Sequence, residues 1–192
     1  MTPRYTRAIS LAASAHEGQL RKGTDIPYIT HPVAVAELVA RYGGDEDQQI
    51  GALLHDVLED GGESWTEQIK QFGERVYAIV RGCSDCIPDA NGEKPAWKAR
   101  KAAYIEHLRG AHEDTLFVSG CDKLHNLSCL KQDLKESGPA VFERFNAGAA
   151  ETIWYYSCLV EIFESRGSAV ANSLREELSS VVAGLPAKPV QG

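Results

Sequence analysis

"ALLHDVLED", residues 52–60, is the stretch on which the reading of this chain turns. Apolar Leu53, Leu54, Val57 and Leu58 recur at helical spacing, yet His55, Asp56, Glu59 and Asp60 are interleaved with them. At about 100° per residue, with His55 as origin, Glu59 falls at about 40°, Asp56 at about 100° and Asp60 at about 140°, while the apolar four occupy roughly 160° to 300°. The spacing predicts an amphipathic helix whose polar arc holds only an imidazole and three carboxylates. A solvated face ordinarily mixes in Lys, Arg, Gln or Ser, and no cation here neutralises the acids. A divalent metal would do so, with His55 and Asp56 sharing it and Glu59 and Asp60 one turn later beside its open positions. An exposed acidic helix end is the plainer alternative.

Working outward, apolar residues recur every three or four positions almost throughout, and alternation with turn pairs is scarce, so the expectation is all-α. Helices are predicted over 3–17, 32–42, 46–60, 64–71, 73–86, 96–109, 112–134, 139–166 and 168–184, punctuated by Gly- and Pro-containing turns such as "GTDIP" (23–27), "DGGES" (60–64) and "PDANGEKP" (88–95). Ser64 followed by Glu67 reads as a capping box for the fourth of these. With 192 residues, one domain over 3–185 is expected, followed by a short flexible tail, 186–192.

A composition of 43% hydrophobic and 24% charged residues fits a globular chain and excludes a disordered or fibrous one. No apolar run approaches the roughly 18 residues of a membrane span, and the N-terminus lacks a signal peptide, so a cytoplasmic protein is expected. Five cysteines, odd in number and irregularly placed, read as free thiols. The "CSDC" pair at 83–86 has no second pair or His pair at zinc spacing and reads the same way. A net charge of -7 argues against nucleic acid polymers and anionic membranes as partners. An anionic small molecule stays compatible through two basic clusters, "RK" at 21–22 and "KPAWKARK" at 94–101. Oligomeric state is left open.

Further ligands for a metal at His55 and Asp56 have two sources. His31, in "PYITHP" (27–32), stands at the start of a helix, where a histidine is a cap, a packed ring or a ligand. Asp122 and Asn126, in "CDKLHNL" (121–127), lie one turn apart on one helix face after the apolar run "TLFVSG"; a carboxylate there is costly unless paired. His125, about 60° from Asp122 on the wheel, reads first as a surface or core packing residue and second as a support standing behind the ligands.

Taken together, "HEGQLRKGTDIPYITHP" (16–32), "ALLHDVLED" (52–60), "FGERVYAIVRGCSD" (72–85) and "CDKLHNLSCL" (121–130) resemble the HD-domain superfamily of metal-dependent phosphohydrolases, and within it the hydrolase domain of RelA/SpoT-like alarmone enzymes. "ETIWYYSCLV" (151–160) is a weaker echo of the segment closing that domain. The resemblance implies a helical bundle of about eight to nine helices around one metal site, with His31, His55, Asp56 and Asp122 as ligands and Mn²⁺ as the metal. Its reaction is hydrolysis of guanosine 3′,5′-bis-pyrophosphate (ppGpp, or pppGpp), releasing the 3′-pyrophosphate and returning GDP or GTP. Glu59 and Asp60 match its catalytic acidic pair. Arg21 matches the residue that stacks on the base, Lys22 and Tyr28 line the same pocket, and Asn126 matches the ribose contact. Lys98, Arg100 and Lys101 fall where the family places cations for the phosphates; Arg144 and Tyr156 are further candidates for pocket contact. A small stand-alone hydrolase without a synthetase domain is the implied organisation.

Cys129 stands where relatives commonly carry Thr, and "CSD" (83–85) replaces a Val-Thr-Lys-like stretch. These departures motivate a second reading, an HD phosphohydrolase acting on another nucleotide or a phosphorylated dinucleotide cofactor. A third, a catalytically silent nucleotide-binding regulator, conflicts with the presence of Glu59, Asp60 and the full ligand set.

Overall fold

The computed structural model describes residues 2–87, 95–145 and 147–186; the tail expectation for 187–192 and the turn at 88–94 lie outside them. Ten α-helices and two 3-10 segments, and no strand, make up the described residues: α1 Pro3–Ala15, α2 Thr30–Arg41, α3 Glu46–Leu54, α4 Val57–Gly61, α5 Thr66–Lys70, α6 Glu74–Cys83, α7 Trp97–Gly110, α8 Glu113–Ser137, α9 Ala149–Ser165 and α10 Ala171–Ala183, with 3-10 turns at Glu63–Trp65 and Gly138–Arg144. The all-α expectation is met.

α3 is the hub. Its run Ile50–Leu54 is buried on every side because α1, α2, α6 and α8 all pack against it, as expected of a helix apolar all round. Gly51 permits the close approach of α6: a Cβ there would stand 2.6 Å from Ile79 Cγ2. The N-terminus of α3 is fixed by Asp45, whose carboxylate accepts from Gln48 N while Gln48 Oε1 accepts from Asp45 N, a reciprocal cap that satisfies two otherwise orphaned donors. The box expected at Ser64 and Glu67 does not form. Ser64 instead lies in the 3-10 turn and donates to Gly61 O at 3.2 Å.

Two predicted helices are broken. The 46–60 segment divides at His55 and Asp56, where α3 ends, and α4 restarts at Val57. The 139–166 segment divides into the 3-10 turn and α9 across extended Phe145 and Gly148. The first break matters for chemistry. At this break His55 is buried, 1% exposed, facing the first turn of α2 and the middle of α8.

A candidate metal centre between three helices

Three elements that pack on one another converge here: the first turn of α2 supplies His31, the α3–α4 break supplies His55 and Asp56, and the middle of α8 supplies Asp122. One ligand atom each from His31, His55 and Asp122 lies within 4.8 Å of the others, and all three residues are buried. His31 Nε2 is 3.1 Å from Asp122 Oδ1 and 3.5 Å from Asp56 Oδ2. His55 Nε2 is 3.0 Å from Asp56 Oδ2 and 3.5 Å from Asp122 Oδ1. Asp56, its side chain 15% exposed, thus faces both imidazoles from the solvent side of the three-residue group.

The outer nitrogens decide what the inner ones present. His55 Nδ1 is 2.8 Å from Ala52 O, and a carbonyl only accepts, so the proton of the neutral ring sits on Nδ1 and Nε2 is bare. His31 Nδ1 is 2.8 Å from His125 Nδ1; with His31 as donor in that pair, its Nε2 lone pair also faces inward. His55 Nε2 is buried without a hydrogen-bond partner. The 3.0 Å approach of Asp56 does not contradict this, because a contact within ion-pair distance lacks the alignment a hydrogen bond requires. A buried, unpartnered nitrogen aimed between two carboxylates fits a divalent cation.

Electrostatics agree. Burial disfavours charge on His55, but Asp56 and Asp122 outweigh it and lift the imidazole well above its usual range. Burial likewise opposes ionisation of Asp56 and Asp122, yet His55 and His31 hold the first, and Lys123 and His55 the second, below the usual carboxylate range. Burial lowers His31 more than the same carboxylates raise it. The centre therefore attracts positive charge, and a proton on His55 competes with a metal.

Around this centre the structure gathers most of the sequence-predicted contact residues. Tyr28 donates its hydroxyl to Asp56 Oδ2 at 2.6 Å, and burial with the neighbouring carboxylates raises the phenol far above its usual value, keeping it a donor. Asn126 donates to Asp122 Oδ1 at 2.6 Å and accepts from Arg21 Nη2 at 3.1 Å. The Arg21 guanidinium also lies 6.0 Å from the Tyr28 ring centre. Lys22 is exposed on the same turn as Arg21. On α4, Asp60 accepts from Gln19 Nε2 at 2.8 Å and Glu59 accepts from the Asp85 backbone N–H at 3.3 Å.

Other predicted residues are engaged differently. Arg100 and Lys101 both bond the buried Asp85 carboxylate. Lys98 stands over Trp154 and beside Glu151. Arg144 pairs with Asp133 and packs on Gly23, behind the Arg21 turn. Tyr156 is buried against Tyr155. Three participants fall outside the ligand and contact set expected from the sequence. Lys123, its side chain 12% exposed, binds Asp122 Oδ2; His125 holds His31; and Gln19 links His16 to Asp60. A buried charge such as Lys123 leaves no periodic signal, whereas Gln19 lies inside the "HEGQ" already matched.

A family profile described as HD domain matches residues 8–153. The chain belongs to the HD-domain family. It is 39% identical over 126 residues to a guanosine-3′,5′-bis(diphosphate) 3′-pyrophosphohydrolase of Haemophilus influenzae, an alignment covering 62% of this chain and 18% of that protein. It is 35% identical over 130 residues to the Xenopus tropicalis guanosine-3′,5′-bis(diphosphate) 3′-pyrophosphohydrolase MESH1, covering 65% of this chain and 68% of MESH1. The fold matches that of a metazoan ortholog of SpoT that hydrolyzes ppGpp, with a TM-score of 0.69 at 24% identity over 95% of this chain and 96% of that one. The chain thus spans about a fifth of the long bacterial relative and about two thirds of MESH1. It is an HD protein related to ppGpp hydrolases, with His31, His55 and Asp122 arranged as a possible metal site. No described helix is long and apolar enough to cross a membrane.

Proposed function

We propose that this chain is a Mn²⁺-dependent (p)ppGpp 3′-pyrophosphohydrolase, formed as one hydrolase domain over residues 3–185. The observation that carries this reading is the buried His55 Nε2, without a hydrogen-bond partner and facing Asp56 and Asp122, with Glu59 and Asp60 on the next turn of chain. His31, His55, Asp56 and Asp122 would hold the ion, and two imidazoles with two carboxylates suit Mn²⁺ better than a thiolate-seeking metal. The bound ion would acidify water and stabilise charge on the phosphoryl group. Glu59 and Asp60 orient the attacking water and manage its proton, a task for carboxylates kept ionised by nearby positive charge. Cleavage separates the 3′ oxygen from phosphorus, so pyrophosphate leaves and the ribose regains its 3′-hydroxyl.

On the substrate side, the Arg21 guanidinium is planar and suited to stacking on a purine. Asn126, tied to both Arg21 and Asp122, sits between base and metal and reads the ribose. Tyr28 and Lys22 would line the same wall, and Arg144 and Tyr156 are proposed as further contacts of the nucleotide. The test is anion-exchange chromatography after incubation of Mn²⁺-loaded protein with ppGpp. GDP and pyrophosphate formed only without chelator support the proposal; an intact substrate peak with metal bound refutes it.

A specific observation keeps one other reading in view. Asp85 occupies Arg100 and Lys101, which leaves less cationic charge for a second pyrophosphate and favours another phosphorylated nucleotide or dinucleotide cofactor. Competitive turnover of such a compound against ppGpp separates the two.

A further inference from the structure

We propose that Asp85, clamped by Arg100 and Lys101, is a positioning residue for Glu59, so that these two cations serve the acid–base carboxylate rather than the substrate's phosphates. The inference rests on the catalytic role assigned to Glu59 above.

Asp85 lies two residues beyond the end of α6, and its side chain is 3% exposed. Arg100 Nη1 is 2.6 Å from both of its oxygens, and Lys101 Nζ is 2.6 Å from Oδ2. Both cations come from the first turns of α7 and are themselves mostly covered, at 12% and 17% side-chain exposure. Each is further fixed: Arg100 Nε donates to Pro95 O at 3.2 Å, and Lys101 Nζ stands 5.1 Å from the Tyr155 ring. Burial raises the Asp85 carboxyl, but Lys101 and Arg100 outweigh it and hold it below its usual range. A carboxylate this buried needs its cations, because removing one leaves uncompensated charge in the interior.

The clamp reaches the reaction through the backbone. The Asp85 N–H donates to Glu59 Oε2 at 3.3 Å, and Arg100 Nη1 lies 3.9 Å from Glu59 Oε1. Pinning the carboxylate fixes the peptide unit, and the peptide unit fixes one oxygen of Glu59. A phosphate-binding role would instead present the guanidinium and ammonium to the cleft, whereas here both converge on a buried acid.

Two measurements on the full chain test this. Amide hydrogen exchange followed by NMR needs no substrate: Asp85→Asn and Lys101→Met are expected to speed exchange at residue 85 about tenfold while the amides of α6 keep their protection. In steady-state kinetics on ppGpp, each variant is expected to lower kcat about tenfold with KM within about twofold, and Lys101→Arg to restore most of it. On a Glu59→Gln background neither variant should lower kcat further, because both act through that side chain. Unchanged exchange at residue 85, or a raised KM with kcat intact in Lys101→Met, overturns the clamp. An intact ppGpp peak with the parental protein strikes the substrate assignment alone, and the exchange measurement then decides the clamp.

Discussion

Two clusters in this chain use paired aspartates to opposite ends. Between α3, α6 and α8, Arg75 donates to Asp114 through Nε and Nη2 at 2.8 Å and to Asp45 through Nη1 at 2.6 Å, while Gln48 donates to Asp114 at 2.8 Å. Donors and acceptors close on one another, and the cluster is a staple between helices. In the interior, Asp56 and Asp122 face two imidazoles whose outer nitrogens are engaged elsewhere, and His55 Nε2 is left without a partner. There the groups converge on a point between them. The first cluster satisfies itself; in the second His31, His55 and Asp122 are arranged as a possible metal site.

The largest expected effect breaks the interior cluster. Asp122→Asn keeps the shape but removes the charge that balances a cation, so bound metal measured by mass spectrometry should fall from about one per chain to near zero. Turnover should fall by more than about 10³-fold, the several kcal/mol a metal supplies. Glu59→Gln sharpens the contrast within the site, since it should keep the metal while slowing turnover by roughly 10²-fold; parental turnover would remove Glu59 from the acid–base role.

The smallest effect belongs to the staple. Arg75→Met should leave metal content and KM unchanged and cost about 1 kcal/mol in stability, a modest figure because the Arg75 side chain is 43% exposed. In a domain of this size that is a fall of about 2–4 °C in Tm. Its pH dependence carries a definite sign. Hydrogen bonds from Arg75 hold Asp114 below the usual carboxylate range, and hydrogen bonds from Gln48 and Arg75 outweigh burial to do the same for Asp45. Their contribution is present above the ordinary carboxylate pKa and is lost as pH falls through the lowered values. Thermal melts from neutral to acidic pH should therefore show the parental and Arg75→Met curves drawing together in acid.

The sequence was most legible where chemistry and periodicity conflict. Carboxylates and an imidazole within "ALLHDVLED" marked the centre because an apolar helix has no other use for them, and the spacing of Asp122 and Asn126 placed both on the face that meets it. The break at His55 and Asp56 was not legible, since the apolar pattern runs straight through it. The cap moved for a similar reason. "DEDQ" and "SWTE" both carry capping residues, but Gly62, at a φ of 76°, starts a tight 3-10 turn that takes Ser64 out of position. Lys123 and Asp85 were hidden because their partners are distant in sequence or adjacent on the chain rather than one turn away. The pairing of Arg100 and Lys101 with Asp85 was hidden by that same blindness to tertiary contacts.

The most direct test of the metal centre is anomalous diffraction at the manganese edge from crystals grown with Mn²⁺. The expected result is one peak bonded to His31 Nε2, His55 Nε2 and Asp122, with Asp56 as its fourth protein ligand. A centre without anomalous signal, or a peak held by other residues, would contradict the assignment of this cluster as the metal site.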